Sequence, residues 1–160
     1  MPHLPLSVFW FRRDLRLDDN AGLWQALQSG NPVLPLFIFD RDILEPLPKP
    51  CDARVDFLHQ SLEALKMQLQ ALGSGLWVYY GTPLAVFRQL CDQYPIQAVF
   101  TNRDYEPYAK ARDGQITDFL RSKGIPFAHF KDQCIFENAE VRSRARGGYM
   151  AFFTPYSRRW

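Results

Sequence analysis

Residues 8–20 of the chain read VFWFRRDLRLDDN, and this stretch decides the fold class. Its first four residues are apolar at consecutive positions, which is typical of a strand buried on both faces in a parallel sheet. Asp18, Asp19 and Asn20 then provide side-chain oxygens that can cap a helix. A buried strand followed by a capped helix predicts the first half of a β-α-β unit.

The alternation of strand and helix continues along the chain. Further apolar runs have the length of strands: residues 33–39, 76–80, 98–101 and 127–130. The longest helical segment, residues 53–72, carries leucines three or four positions apart, at Leu58, Leu62, Leu65, Leu69 and Leu72. Strands that alternate with helices imply right-handed crossovers. We therefore expect a single α/β domain over residues 1–132, a doubly wound, Rossmann-like, parallel five-stranded sheet flanked by helices.

After Asp132 this rhythm ends. Residues 133–160 are polar and irregular, and the last nine read FFTPYSRRW. We expect this segment to be the start of an interdomain linker that leads to a second domain absent from these residues. A carboxyl-terminal tail docked on the first domain is the alternative.

The composition excludes some classes of protein. Lysine and arginine number 19 and aspartate and glutamate 17, a near balance that argues against a dedicated nucleic-acid-binding domain. Aromatic residues make up 15% of the chain, which suits a pocket for a flat conjugated ligand. The three cysteines show no zinc-ligand spacing, so no metal site is predicted. No apolar run approaches the ~20 residues of a membrane span, and a cytoplasmic location is expected.

Ligands of open parallel sheets bind at the carboxyl ends of the strands, where the strand order reverses. That rule selects three loops, at residues 11–16, 39–42 and 101–107. The first loop has no glycine, so its backbone cannot approach a pyrophosphate closely, which disfavours ordinary dinucleotide binding. It carries arginines instead, which can stack on a ring or pair with a carboxylate. The alternative is internal ion pairing of Arg12, Arg13 and Arg16 with Asp14, Asp18 or Asp19.

The third of these loops contains two carboxylates, Asp104 and Glu106, just before Pro107. One carboxylate at this position is explained by the positive end of the helix that follows. Alternating residues of an extended segment point to opposite sides, so the other carboxylate can face the cleft and accept hydrogen bonds.

Catalytic residues are not predicted. The three histidines are isolated along the chain, and no serine lies in a G-x-S-x-G elbow. The residues by themselves therefore indicate a binding domain without catalytic groups of its own.

At the three loops the sequence resembles the DNA photolyase/cryptochrome family. Residues 9–20 are similar to the family's amino-terminal signature, and residues 35–40, PLFIFD, resemble its second strand. Residues 102–108, NRDYEPY, with Arg112 and Asp113 after them, resemble its fourth-strand loop. The ending at residues 153–160 resembles the segment that leaves the α/β domain of these proteins.

The resemblance implies a specific role. In this family the α/β domain carries an antenna chromophore, which absorbs light and passes the excitation to FAD in a following helical domain. The helical domain also binds damaged DNA and repairs cyclobutane pyrimidine dimers by electron transfer. We therefore expect the antenna domain of a deoxyribodipyrimidine photo-lyase, inactive in repair by itself. The alternatives are the same module of a cryptochrome photoreceptor, or a stand-alone nucleotide-binding domain.

The resemblance also bears on which antenna is bound. Members that bind a folate have a polar pair just inside the helix after the fourth strand, where this chain has Tyr108 and Ala109. The resemblance therefore favours 8-hydroxy-5-deazaflavin or FMN over folate as the antenna chromophore. The implied cofactor-binding residues are Phe37, Ile38 and Phe39 beside the ring, Asp104 and Glu106 at its polar edge, and Arg13, Asp40, Leu44, Arg54 and Leu58 around the rest.

Overall fold

The computed structural model describes residues 4–47, 52–137, 140–141 and 152–158. The strands are β1 (Leu6–Phe11), β2 (Val33–Asp40), β3 (Trp77–Gly81), β4 (Ile96–Asn102) and β5 (Phe127–Phe130). They form one parallel sheet in the order β3-β2-β1-β4-β5. The predicted doubly wound five-stranded sheet is confirmed, because the chain winds outward from β1 in one direction and from β4 in the other.

The helices are α1 (Ala21–Leu27), α2 (Arg41–Leu44), α3 (Ala53–Ala71), α4 (Pro83–Gln93), α5 (Pro107–Ser122) and α6 (Phe153–Ser157). The short helices α2 and α6 were not predicted. Leu72 was expected on the buried stripe of α3, but it is 74% exposed because the helix ends at Ala71. Among the helices of the described segments, none combines the length and the hydrophobicity needed to cross a membrane.

Strand β1 is buried on both of its faces. Val8 and Trp10 pack in the cluster that contains residues of α4 and α5. Phe9 and Phe11 pack in the opposite cluster with residues of α1 and α3. Helices therefore cover both sides of the sheet, which is why residues 8–11 of the strand are apolar at consecutive positions instead of at alternate ones.

A set of buried polar side chains, the switch-point network, joins β4 to α1 where the strand order reverses. The Asn102 amide accepts a hydrogen bond from the Gly22 N–H at 2.8 Å and donates to Asn20 Oδ1 at 2.8 Å and to the Asp14 carboxylate. A Cβ atom at Gly22 would lie 2.6 Å from Asn102 Oδ1, so this close approach requires glycine. The network thus fixes α1 against the end of β4.

Replacing Asn102 by alanine tests the network. The change leaves a buried carboxylate and a buried N–H without their partner, so we expect the free energy of unfolding to fall by about 2–4 kcal/mol. Urea denaturation would measure this fall. The dependence of the free energy of unfolding on urea concentration should stay unchanged. Gln97→Ala, on the exposed part of the same strand, is the matched control and should cost less than about 0.5 kcal/mol. Equal losses in the two variants would contradict the assigned role.

Candidate functional site

A cavity of about 510 Å³ lies at the carboxyl edge of the sheet, above β1, β2 and the start of α5. This volume is within the range of pockets that hold small cofactors. All three loops selected from the sequence contribute to its lining, through Arg12 and Arg13, through Phe39 and Asp40, and through Asp104. The structure therefore brings together segments that are far apart along the chain.

Nine of the ten residues implied as cofactor-binding line this one cavity. They are Arg13, Phe37, Ile38, Phe39, Asp40, Leu44, Leu58, Asp104 and Glu106. The aromatic and aliphatic members come from β2, α2 and α3, and the charged members come from the strand ends and the loop before α5. The cavity thus has apolar walls and a charged rim.

Arg54 is the exception, because it is not among the residues that line this cavity. Its side chain is 73% exposed, and its Nε and NH2 groups lie 2.9 and 2.6 Å from the carboxylate of Asp52. Asp52 caps the amino terminus of α3 and holds the guanidinium outside the cavity. Hydrogen bonds from the Arg54 side chain and backbone lower the pKa of Asp52 to about 2.

The buried end of the cavity contains two arginines beside an indole. The Arg12 guanidinium donates to both carboxylate oxygens of Asp113, at 2.9 and 2.7 Å, and to the carbonyl of Asn102. The guanidinium carbons of Arg12 and Arg112 lie 5.1 and 4.8 Å from the centroid of the Trp10 ring. These contacts make a rigid floor, since both charges are paired and both pack on an aromatic surface.

The ion pairs of the first loop differ from those considered from the sequence. Arg12 pairs with Asp113, and Arg16 pairs with Asp132 at 2.9 Å. Neither pairing was predicted, because each partner lies about a hundred residues further along the chain. The carboxylates of the loop itself, at Asp14, Asp18 and Asp19, form no ion pair with these arginines among the described residues.

Arg13 connects the first loop to the fourth-strand loop at the mouth of the cavity. It bonds to Glu106, and its Nε lies 3.7 Å from Asp104. The Asp104 side chain is only 9% exposed, yet no hydrogen bond to its carboxylate is formed within the described segments. Asp104 is therefore a nearly buried acceptor with capacity for a ligand donor.

Tyr108 spans the cavity from α5 to the end of β2. Its hydroxyl donates to Asp40 Oδ2 at 2.8 Å, and Arg112 NH1 lies 3.7 Å from the same oxygen. Burial and the neighbouring carboxylate raise the pKa of Tyr108, so the phenol remains a protonated donor at neutral pH. This side of the cavity is already hydrogen-bonded within the protein.

Eight lining residues were not among those implied as cofactor-binding, and they are Trp10, Arg12, Leu15, Ile43, Phe57, Tyr108, Ala109 and Arg112. Two patterns could have found some of them. Trp10 and Arg12 are two positions apart on β1 and its extension, so they face the same side of the sheet. Tyr108 and Arg112 are four positions apart and share a face of α5. Ile43 has no comparable signal, because α2 was not predicted.

Another cavity, of about 520 Å³, lies between α1 and the end of β5. Its lining includes Trp24, which is 58% exposed, but no residue of β1 or β2. It is therefore displaced from the reversal of strand order. Across the segments that the structure describes, no group of three or more histidine, cysteine, aspartate or glutamate side chains is arranged to hold a metal ion.

Comparison with known proteins identifies the family of this chain. The family model for DNA photolyase matches residues 7–160. A deoxyribodipyrimidine photo-lyase of Synechococcus is 35% identical over 153 residues, covering 96% of this chain and 31% of the relative. A class III photolyase from Agrobacterium tumefaciens superposes with a TM-score of 0.84 at 30% identity, over 99% of this chain and 32% of that one.

An archaeal photolyase from Sulfolobus tokodaii, solved with two FAD molecules, superposes with a TM-score of 0.79 at 33% identity. That match covers 87% of this chain and 32% of the archaeal one. The chain thus spans about a third of the length of the relatives it matches. On the family-model match and these likenesses, the chain belongs to the DNA photolyase family.

Proposed function

We propose that the cavity at the carboxyl edge binds a planar light-absorbing ring, and that the chain is the antenna domain of a photolyase. The observation that carries this proposal is a cavity of about 510 Å³ at the strand-order reversal, with apolar walls and a nearly buried carboxylate at one side. Apolar walls suit the faces of a fused ring system, and a few placed polar groups orient it.

A deazaflavin or flavin ring matches these walls. Phe37 and Phe39 line the cavity, and Asp104 can accept a hydrogen bond from a ring N–H. The archaeal relative with two FAD molecules supports a flavin-type ring in this family. A folate is disfavoured, because Ala109 is 2% exposed and has no polar group, while the Tyr108 hydroxyl is engaged by Asp40.

The activity of a complete photolyase requires residues beyond those of this chain. The relatives are about three times as long as the part that matches. We therefore assign FAD binding, contact with damaged DNA and repair of pyrimidine dimers to a helical domain, with this domain as its light-harvesting partner, in the cytoplasm. The isolated domain is expected to bind the antenna and to have no repair activity.

Titration of the isolated domain tests the ligand class. We expect 8-hydroxy-5-deazaflavin and FMN to bind, with a change in ligand fluorescence, and a reduced folate not to bind. At a hundredfold excess over Kd, binding stabilises the fold by about 2.7 kcal/mol, or roughly 5–10 °C in Tm for a domain of this size. Binding of the folate alone would refute this choice of ligand.

The variant Asp104→Asn tests the orientation of the ring. The amide keeps one acceptor oxygen but loses the negative charge that strengthens the hydrogen bond, so ligand binding should weaken by about tenfold. Stability should change by less than about 1 kcal/mol, because the Arg13 contact is long and at the surface. Asp118→Asn, with a side chain 78% exposed on α5, is the matched control and should leave the affinity unchanged. If the Asp104→Asn variant bound the ligand with unchanged affinity, Asp104 would not be part of the binding site.

A further inference from the structure

The segment that follows β5 is joined to the loop that follows β4 through one carboxylate. Glu137 accepts a hydrogen bond from the Tyr105 hydroxyl at 3.0 Å and pairs with the Arg103 guanidinium at 2.5 Å. The Glu137 side chain is 20% exposed, so these contacts are partly shielded from water. We call Arg103, Tyr105 and Glu137 the clamp, because Glu137 holds both chain neighbours of Asp104.

Further hydrogen bonds anchor both segments of the clamp. The Glu137 N–H donates to Glu140 Oε2 at 2.8 Å, and the Lys131 ammonium donates to both oxygens of the same carboxylate. In the other segment, the N–H of Arg103 donates to the carbonyl of Phe130 at 2.8 Å, which continues the pairing of β4 with β5. The clamp therefore joins two segments that each have bonds of their own.

Asp104 lies between two cavities. Besides the cavity at the carboxyl edge, it borders a cavity of about 480 Å³ that Arg103, Tyr105 and Glu137 also line. Its carboxylate lies 3.7 Å from the Nε of Arg13, which lines the cavity at the carboxyl edge. The two neighbours of Asp104 thus bond to Glu137 while its own carboxylate is placed at the other cavity, as alternating side chains of an extended segment would be.

The Asp104 side chain has little else to hold it. Within the described segments no hydrogen bond reaches its carboxylate, and the contact with Arg13 is too long for one. The Arg13 side chain is also 54% exposed, so this ion pair is weak. The direction of the Asp104 carboxylate is therefore set mainly by the residues on either side of it.

We propose that Glu137 is a positioning residue for the cavity at the carboxyl edge, and that it acts through Asp104. The proposal rests on the proposed function and deepens it, since Glu137 is not among the described residues that line this cavity. Arg103 and Tyr105 transmit the effect, because their bonds to Glu137 fix the chain on both sides of Asp104. Ligand binding and the placement of residues 131–137 are then coupled, and the coupling is reciprocal.

A double-mutant cycle tests the proposal, with FMN as the probe, or 8-hydroxy-5-deazaflavin if FMN does not bind. The probe is titrated into the parent chain, into Glu137→Ala, into Asp104→Ala and into the double variant, with ligand fluorescence as the readout. Glu137→Ala should weaken binding by about three- to tenfold, in the range of couplings within one network. In the Asp104→Ala background the same change should have little further effect, because no carboxylate remains to be positioned.

Conservative variants separate positioning from a loss of structure. Tyr105→Phe removes only the hydroxyl. Glu137→Gln keeps an acceptor for that hydroxyl but loses the ion pair with Arg103, so both changes should weaken binding less than Glu137→Ala does. Asp92→Asn, in an exposed ion pair of 3.9 Å with Lys123, is the matched control and should leave the affinity unchanged. Melting temperatures identify any variant that does not fold.

Amide hydrogen exchange tests the reciprocal effect. Where exchange at residues 131–137 occurs through opening of the clamp, saturating ligand should slow it in the parent chain by about the same three- to tenfold factor. In the Glu137→Ala variant this protection should be lost. A purely structural role of Glu137 predicts no dependence of this exchange on the ligand.

The outcomes that contradict the inference are distinguishable from failure of the proposed function. If the probe binds the parent chain and Glu137→Ala equally well, the inference fails while the proposed function stands. The same follows if the effects of Glu137→Ala and Asp104→Ala multiply, because Glu137 then acts without Asp104. If neither FMN nor the deazaflavin binds the parent chain, the proposed function fails and the inference fails with it.

Discussion

One buried guanidinium organises the carboxyl edge of this domain. The Arg12 side chain is 5% exposed, and a charge so far from water is stable only when it is paired and hydrogen-bonded. Its partners are Asp113 on α5 and the carbonyl of Asn102 at the end of β4. These bonds require α5 to pack with Asp113 turned toward β1. The amino terminus of α5 then lies beside the strand ends, where Asp104 and Tyr108 become walls of the cavity.

The first helix of the sheet differs at its amino terminus from that of many doubly wound sheets that bind a dinucleotide. Such sheets hold a pyrophosphate with glycine-rich backbone and a free helix terminus. Here the first three N–H groups of α1 donate to the side chains of Asp132, Asn102 and Asn20. Gly22 allows α1 to approach β4 closely. What remains open is a slot with apolar walls beside β2. The internal polar contacts that stabilise the fold therefore also shape the space left open at this edge.

The family match and the cavity bear on two different questions about this chain. The family-model match and the photolyase relatives establish which proteins this chain is related to. The cavity bears on what this domain contributes, since the walls formed by Phe37 and Phe39 would serve a ring ligand. The antenna role that we propose combines the two, because a light-absorbing ring needs to be held rigidly and need not react with the protein.

The sequence by itself determined the fold class and the loops that line the cavity, because both depend on local patterns. The apolar run at residues 8–11 required a buried parallel strand, and the rule that ligands bind where strand order reverses then selected loops that do meet at one cavity. Only the tertiary structure decided the pairing of charges. Arg12 and Asp113 are 101 positions apart, so no spacing along the chain could join them. The ion pair of Arg54 with Asp52 was likewise not predicted, since the choice between this partner and the cavity depends on distances in three dimensions.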